Sequence, residues 1–189
     1  MIRFIDIKSQ SKKELKDIIP IFKKVFLSGN FIMGNEMKKL NEKLKKLIGR
    51  KYCISVNSGH DALLFALYAL GIKKNDEVIT TSNSFIASAS VIKHIGAKVI
   101  FADIGDDLNI DPESLKKSIS SKTKAIILVH LAGRMCKMDE IKKIIKNTKI
   151  KIIEDCAQSV LSKYKNSYSG TFSDIACFSA HPLKNLNAI

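Results

Sequence analysis

The sequence predicts an α/β fold in which a mainly parallel sheet lies between two layers of helices, a three-layer α/β/α architecture. Short apolar runs alternate with helical patterns over most of the 189 residues, and this alternation is typical of parallel strands joined by right-handed crossovers. The run Ala125–Val129 is apolar at every position, as expected for a strand that helices cover on both faces. The length is sufficient for one such domain with a substantial core.

Two amphipathic helices are predicted before the alternation begins. Residues 11–27 carry apolar side chains at helical spacing, and Gly29 follows the end of this pattern. Pro20 lies within it, so the helix is expected to be kinked there or to begin nearby. Residues 35–48 form a second amphipathic helix, which Gly49 closes. Both helices are expected to form an N-terminal segment that precedes the sheet.

From residue 52 onward the chain alternates between predicted strands and helices. Strands are expected at Tyr52–Val56, Glu77–Thr81, Lys98–Ala102, Lys124–His130, Ile150–Glu154 and Asp174–Phe178. Helices are expected at Ala62–Leu70, Phe85–Ile95, Pro112–Ile119 and Met138–Lys146. Ligands of such sheets bind beyond the carboxyl ends of the strands. The polar residues expected near those ends are Asn57, Ser82, His130, Asp155 and Ser179.

The composition is that of an ordinary globular protein with an excess of positive charge. Hydrophobic residues make up 46% and charged residues 26% of the chain, and the formal net charge is +14 at pH 7. The lysines are spread along the chain without an aromatic-interleaved basic motif. We therefore expect attraction of anionic substrates, and nucleic acid is not the expected partner. No apolar run approaches about 20 residues, which predicts that nothing spans a membrane.

The cysteines and the N-terminus predict a cytoplasmic protein. The four cysteines form no CxxC pair, and three of them lie in or beside apolar runs. They are therefore predicted to be small core residues, and no metal site is expected. The first residues lack the architecture of a signal peptide, which also favours a reducing compartment.

The chemically informative residues lie at the ends of the last two predicted strands. One apolar run ends in Asp155, and the next ends in Ser179 and leads into Lys184. This arrangement suits pyridoxal phosphate, because a lysine forms a Schiff base with its aldehyde and an aspartate keeps its pyridine nitrogen protonated. In a chain with 32 lysines and arginines, a single lysine is more often a solvated surface cation. The assignment therefore depends on the neighbouring segments.

Neighbouring segments supply candidate partners for such a cofactor. The segment Asn57–Ala62 joins a predicted strand to a helix, where backbone amides and the helix dipole favour a phosphate. The alternative is an ordinary helix cap in which Ser58 and Asp61 form a capping box. Phe85 is a candidate for stacking on a flat ring, although a core position is the commoner fate of a phenylalanine. Gln158 is a candidate partner of the cofactor's phenolic oxygen, and Ser179 a candidate donor to its phosphate.

Two other polar residues near these strand ends are expected to be structural. Glu154 points away from Asp155, because successive side chains of a strand face opposite sides of the sheet. His130 is positioned to border a site, but a histidine that ends a strand is more often simply hydrogen-bonded.

Taken together, these segments resemble the sugar aminotransferases of the DegT/DnrJ/EryC1/StrS family, a branch of the fold-type I pyridoxal-phosphate enzymes. The resemblance extends over the whole chain, and many blocks in the right order are far more specific than any single one. It covers Phe4–Ile7, Asn57–Leu63, Gly71–Val78, Phe85–Ala89, Val129–Gly133, Ile153–Ser159, Gly170–Asp174 and Phe178–Asn185. The fold implied is the large domain of an aspartate-aminotransferase-like enzyme.

The resemblance also implies a role for each candidate residue. Lys184 carries the Schiff base and acts as general base and acid, while Asp155 pairs with the ring nitrogen. Cofactor contacts are implied for Ser58, Gly59, His60, Phe85, Asp155, Gln158, Ser179 and Lys184. His60 departs from the family, which usually has a threonine there whose hydroxyl helps to hold the phosphate. A substitute contact from the histidine or a shifted cofactor is therefore expected.

Family members transfer an amino group from glutamate to a keto sugar, commonly nucleotide-linked, and the resemblance implies this reaction in surface-polysaccharide or amino-sugar biosynthesis by a homodimer. The chain ends at Ile189, five residues after Lys184, whereas family members continue with the rest of the sheet and a smaller C-terminal domain. We therefore expect residues 1–189 to be an N-terminal segment plus an incomplete pyridoxal-phosphate-binding large domain, catalytically silent on its own.

Two alternative functions are compatible with these residues. A sugar dehydratase of the same family is one, but such enzymes characteristically replace the lysine by histidine, and this chain has Lys184. The other is a non-catalytic or regulatory protein that binds pyridoxal phosphate.

Overall fold

A computed structural model describes residues 6–187, and the chain divides into two compact units. One unit comprises the residues up to Leu47 together with Lys51–Ser55, and the other comprises Ile48–Arg50 and the residues from Val56 onward. The first two residues of the block Phe4–Ile7 lie outside the described part of the chain. None of the helices in the described part has the length and apolarity that a membrane span requires.

The first unit is built from two helices, as the sequence predicts. Helix α1 spans Ile7–Ser28, and Gly29 ends it in the left-handed conformation with φ of 66°. Pro20 lies inside α1, so the alternative in which the helix begins near this proline is wrong. The helix tolerates the loss of the one backbone hydrogen bond that a proline removes. Helix α2 spans Asn35–Ile48.

The predicted strand Tyr52–Val56 is wrong. These residues adopt no strand, and the side chains of Tyr52 and Ile54 are 71% and 80% exposed. A strand persists only when another strand pairs with it, and no strand in the described part of the chain does so here. An alternating sequence pattern therefore predicts strand propensity but does not provide the partner.

The second unit contains a five-stranded sheet with the strand order β2-β1-β3-β4-β7. Its strands are β1 (Glu77–Thr81), β2 (Lys98–Ala102), β3 (Thr123–Val129), β4 (Lys151–Asp155) and β7 (Ile175–Cys177), and all pairings are parallel. The predicted parallel sheet is confirmed. A short antiparallel hairpin follows β4 and precedes β7 along the chain. It consists of β5 (Lys163–Tyr164) and β6 (Ser167–Tyr168), and the sequence pattern does not predict it.

Helices cover both faces of this sheet and create two apolar cores. The helices are α3 (Gly59–Ala69), α4 (Ala87–His94), α5 (Pro112–Ser118) and α6 (Met138–Ile145). The core beneath α3 and α4 includes Ala125 and Ile127, whereas the core beneath α5 and α6 includes Ile126 and Leu128. Alternate residues of β3 thus serve opposite faces, which explains why this strand is apolar throughout.

The strand order determines where a ligand can approach the sheet. The chain passes from β1 to β2 on one side and then returns to β3 on the other side of β1. Because crossovers are right-handed, this reversal places α4 on the opposite face from α5 and α6. Crevices form at the carboxyl ends of the strands in sheets of this kind. Asp155 ends β4 at this edge, and Ser179 follows β7 by two residues.

Candidate functional site

Asp155 is a buried carboxylate that is hydrogen-bonded through both oxygens. Its Oδ1 accepts from the Ala157 amide at 3.1 Å, and its Oδ2 accepts from the Ser88 hydroxyl at 3.1 Å. Burial raises the pKa of Asp155, while these two hydrogen bonds and the nearby charge of Lys184 act in the opposite direction. Each oxygen retains a second lone pair. The site therefore favours a cationic donor placed against Asp155.

The N-terminus of α3 lies directly against the segment that follows β7. A Cβ atom on Gly59 would lie 3.0 Å from the Ser179 Cβ and 3.3 Å from its Oγ. A larger residue at this position would have to displace Ser179 by a few tenths of an ångström, so glycine suits this close approach of backbone and serine. Within residues 6–187, the backbone N–H groups of Gly59 and His60 have no acceptor. Two amides and a serine hydroxyl thus converge where the helix dipole favours an anion.

Ser58 caps α3, as the alternative interpretation of this loop predicts. Its hydroxyl accepts from the Asp61 amide at 3.0 Å, and its carbonyl accepts from the Ala62 amide. The hydroxyl hydrogen of Ser58 is not used by this cap, since the oxygen acts as the acceptor. Capping and anion binding are therefore compatible at this residue.

A tight turn connects Ser179 to Lys184. The Ser179 Oγ accepts from the His181 amide at 3.3 Å, so its own hydrogen is available for a ligand. The His181 carbonyl accepts from the Lys184 amide at 2.8 Å, and the His181 Nδ1 accepts from the Leu183 amide at 3.1 Å. Lys184 is half-buried, and its charge lowers the pKa of Asp155. The turn therefore places the lysine in the electrostatic neighbourhood of the carboxylate.

Gln158 is oriented by the turn that follows β3. Its Oε1 accepts from the Ala132 amide at 2.9 Å, and Ala132 has a φ of 50°. Asn109 supports the same turn, because its Oδ1 accepts from the Leu131 amide at 3.1 Å. The bond to Ala132 identifies Oε1 as the acceptor end of the amide. The Nε2 group of Gln158 is then the end that can donate to a ligand.

Phe85 and His60 both have accessible side chains. Phe85 precedes α4 and is 68% exposed, so the alternative of a core phenylalanine is wrong. The His60 side chain is 41% exposed, and its Nδ1 lies 3.6 Å from the Asp61 Oδ1. The Phe85 ring is thus accessible for stacking. The role considered for His60 is that of its backbone amide, which lies beside the Gly59 amide at the N-terminus of α3.

Glu154 lies on the opposite face of β4 and binds the loop 170–173. Its Oε1 accepts from the Gly170 amide at 2.9 Å and contacts the His130 Nε2 at 3.0 Å. Its Oε2 accepts from the Phe172 amide at 2.9 Å and from the Ser173 hydroxyl at 2.7 Å. Burial opposes ionisation, but the hydrogen bonds from His130 and Ser173 hold the pKa of Glu154 below its usual value. The carboxylate is structural, as strand alternation predicts.

The cluster of His130, Glu154 and Cys156 does not have the chemistry of a metal site. Their ligand atoms lie within 4.8 Å of one another, and no other such group occurs among the described residues. However, the His130 Nδ1 accepts from the Cys136 amide at 3.2 Å. A neutral ring therefore carries its hydrogen on Nε2 and donates it to Glu154, which leaves no nitrogen lone pair for a metal.

The sequence of this chain matches the family model described as the DegT/DnrJ/EryC1/StrS aminotransferase family over residues 12–189. The chain belongs to this family. The match confirms the resemblance expected from the sequence, and it includes every site residue described above.

Individual relatives agree with the family assignment. UDP-2-acetamido-2-deoxy-3-oxo-D-glucuronate aminotransferase of Pseudomonas aeruginosa is 39% identical over 187 residues, which cover 98% of this chain and 52% of that protein. The structure of a DegT/DnrJ/EryC1/StrS aminotransferase from Brucella abortus matches with a TM-score of 0.95 and 30% identity, covering 100% of this chain and 53% of that one. NtdA from Bacillus subtilis, solved with its cofactor PMP, matches with a TM-score of 0.89 and 31% identity over 97% and 42% of the two chains. The chain spans about half the length of the curated relatives it matches.

The contact of Ser88 with Asp155 in this family member is not predicted by its sequence. Ser88 is buried and donates to Asp155 across 67 positions of sequence. One local signal was present, because Ser88 lies in the first turn of α4, three residues after Phe85, the candidate for ring stacking. The start of a helix that follows a strand lies near the carboxyl ends of the strands, where such a serine can contact a polar group.

Replacement of Glu154 in this family member tests its structural role. Glu154→Gln is expected to lower the free energy of unfolding by roughly 3 kcal/mol at neutral pH, because a buried hydrogen-bonded charge is lost and an amide hydrogen replaces an acceptor. Urea unfolding measures the change. The exposed Glu140 provides the matched control, and Glu140→Gln should change the midpoint little.

The dependence of the free energy of unfolding on pH provides a second test of the role of Glu154. The folded-state pKa of Glu154 is lowered from 4.5, so the ionised side chain stabilises the fold above its unfolded-state pKa. This contribution is lost as the pH falls through the folded-state value. The stability gap between Glu154→Gln and the unsubstituted protein should therefore narrow below about pH 4.5. A gap that is constant between pH 7 and pH 3 contradicts the assignment.

Proposed function

We propose that this chain carries the pyridoxal 5′-phosphate site of an aminotransferase that moves an amino group from glutamate to a nucleotide-linked keto sugar, in surface-polysaccharide or amino-sugar biosynthesis. The observation that carries the proposal is the buried Asp155, held by two hydrogen bonds within the field of Lys184. Family membership supports the reaction class, and the relative that acts on a UDP-linked 3-oxo sugar supports the substrate class.

The residues at the start of α3 fit the phosphate of this cofactor. The backbone amides of Gly59 and His60 have no acceptor within residues 6–187, and the helix dipole favours a doubly charged anion. Ser58 and Ser179 each accept a backbone hydrogen bond and retain a hydroxyl hydrogen to donate. Because a backbone amide serves at position 60, the threonine hydroxyl common in the family is not required for this contact.

The residues around Asp155 fit the ring of the cofactor. Asp155 keeps the pyridine nitrogen protonated, and the Nε2 group of Gln158 donates to the phenolic oxygen. Phe85, which is exposed beside this edge of the sheet, supplies a flat face for stacking. When bound, the cofactor supplies the electron sink on which transamination depends.

Lys184 performs two tasks in this proposal. Its Nζ would hold the cofactor covalently, and once released it would act as the general base and acid that removes and returns the substrate proton. The half-buried position and the tight turn restrict the side chain. Asp155 and Lys184 are thus the catalytic residues.

The proposal extends to the assembly that contains this chain. Residues 1–189 would be the N-terminal segment and the pyridoxal-phosphate-binding large domain of a cytoplasmic homodimeric enzyme. The free thiols of Cys136, Cys156 and Cys177, all buried, agree with a reducing compartment.

Absorbance spectroscopy of the complete enzyme that contains this chain tests the proposed function. Addition of pyridoxal 5′-phosphate should produce the visible band of a lysine-bound cofactor, and glutamate should discharge this band. A 3-keto or 4-keto nucleotide sugar should then restore it. A band that glutamate does not alter would favour the regulatory alternative, and release of a deoxygenated sugar would favour the dehydratase. Failure to bind the cofactor would overturn the proposal.

A further inference from the structure

Arg50 makes four hydrogen-bond contacts to loop 170–173 in the sheet-containing unit. Its Nε and Nη2 donate to the Gly170 carbonyl at 2.8 and 2.7 Å. Nη2 also donates to the Ser173 carbonyl at 2.6 Å and contacts the Ser173 hydroxyl at 3.3 Å. These bonds join residues that are 120 or more positions apart in the sequence. Arg50 is half-buried, so solvent competes with them only in part.

Loop 170–173 is held between opposite charges. Arg50 binds its carbonyl oxygens, whereas Glu154 binds the amides of Gly170 and Phe172. The Ser173 hydroxyl connects the two sides, because it accepts from Arg50 and donates to Glu154. The N–H groups of the loop thus face the anion, and its carbonyl groups face the cation. If either charged side chain is lost, the remaining one alone must hold the peptide groups of the loop in this orientation.

The same loop packs against the strand that leads to Ser179 and Lys184. Gly170 has a φ of 89°, and a Cβ atom there would lie 2.8 Å from the Phe178 Cζ and 3.2 Å from the Ala176 Cβ. Phe178 immediately precedes Ser179. On the adjacent strand, Asp155 is in register with Cys177. Loop 170–173 therefore packs against the side chain that immediately precedes Ser179.

We propose that Arg50 is a positioning residue for the cofactor site: its guanidinium fixes loop 170–173, and this loop fixes Phe178 and hence Ser179 against the start of α3. The inference rests on the proposed function, since the site it positions is the proposed cradle of the phosphate. Arg50 is inferred to touch neither the cofactor nor the substrate.

The composition of the chain supports a specific need for arginine here. Only three of its 32 lysines and arginines are arginines. A lysine presents a single ammonium, whereas a guanidinium presents a planar fork that binds two carbonyl groups at once. Arg50 uses this fork on Gly170 and Ser173. In such a lysine-rich chain, an arginine is expected where two carbonyl groups must be bound at once by one side chain.

Arg50→Ala is expected to weaken pyridoxal 5′-phosphate binding at least about tenfold, corresponding to the loss of one phosphate hydrogen bond. Absorbance titration measures this affinity. Millimolar methylguanidinium should restore most of it by occupying the vacated place, and Arg50→Lys should retain an intermediate affinity. Lys51→Ala removes the same charge from the adjacent exposed residue and serves as the matched control, with an unchanged affinity.

Amide hydrogen exchange of the protein without cofactor separates positioning from general instability. In Arg50→Ala, the amides of Gly170 and Phe172 should exchange faster, whereas the Leu115 amide, which bonds to Asp111 in the cap of α5, should be unaffected. Equal acceleration at all three amides, or an unchanged cofactor affinity, overturns the inference. If Arg50→Ala does not fold, Arg50→Lys decides by the same measurements. If the unsubstituted protein binds no pyridoxal 5′-phosphate, the proposed function fails, and the exchange data then report only whether Arg50 holds the loop.

Discussion

In the complete enzyme that contains this chain, Lys184→Ala is expected to abolish the visible band and to lower transamination by at least about 10³-fold, since the substitution removes both the covalent attachment and the general base. Borohydride reduction of the unsubstituted protein should fix the cofactor on the peptide that contains Lys184, and mass spectrometry should identify that peptide. The half-buried lysine and its influence on the pKa of Asp155 are the structural reasons for the choice.

A surface lysine provides the control for this substitution. Lys116 is exposed in the last turn of α5, and Lys116→Ala should keep both the visible band and the reaction. Labelling of any other lysine by borohydride would contradict the assignment of Lys184. Retention of the band in Lys184→Ala would contradict it equally.

The sheet was predictable because each of its strands contains a short apolar run. The predicted strand Glu77–Thr81 coincides with β1, and the predicted strand Lys124–His130 differs from β3 by one residue at each end. Burial on both faces favours apolar side chains at most positions, so the signal is strong. The hairpin of β5 and β6 was missed because each of its strands has only two residues, too few to show a period.

Prediction failed where structure depends on a partner rather than on the local sequence. Residues 52–56 have a strand-like pattern but adopt no strand, because pairing is a property of two segments. The same limit applies within the site. Asp155 was predicted from its position at a strand end, but its donor Ser88 lies 67 residues away in the sequence. Arg50 contacts Gly170 over 120 residues, a separation that no motif encodes.

The two acidic residues at the end of β4 show how a single alternation separates structural from chemical roles. Glu154 is satisfied by four donors on one face, and its pKa is held below the usual value. Asp155 has two donors on the other face, and burial raises its pKa. A carboxylate with unused acceptor capacity and a raised pKa is the one that favours a cationic ligand. Adjacent residues of the same charge therefore differ in chemistry because the strand turns them toward different neighbours.

Asp155→Asn is expected to slow transamination at least about tenfold while changing cofactor affinity much less. The neutral amide cannot keep the pyridine nitrogen protonated, and loss of a charge-assisted hydrogen bond of roughly 1.5–3 kcal/mol raises the barrier accordingly. The fold should tolerate the change, because an asparagine can accept from the Ala157 amide through its oxygen and donate to the Ser88 hydroxyl through its nitrogen. Single-turnover loss of the visible band with glutamate measures the rate, and absorbance titration measures the affinity.

The control and the contradictory outcome for Asp155→Asn follow from the same geometry. Asp106 is exposed, so Asp106→Asn removes one carboxylate without touching the site and should leave the rate unchanged. Ser88→Ala removes one donor but keeps the charge, so its rate should lie between those of Asp155→Asn and the unsubstituted protein. Near-normal turnover in Asp155→Asn would show that the carboxylate does not act on the ring nitrogen. A parallel collapse of cofactor affinity and rate would instead indicate that Asp155 mainly holds the cofactor in place, because an electronic role reduces the rate of the bound complex and leaves binding largely intact.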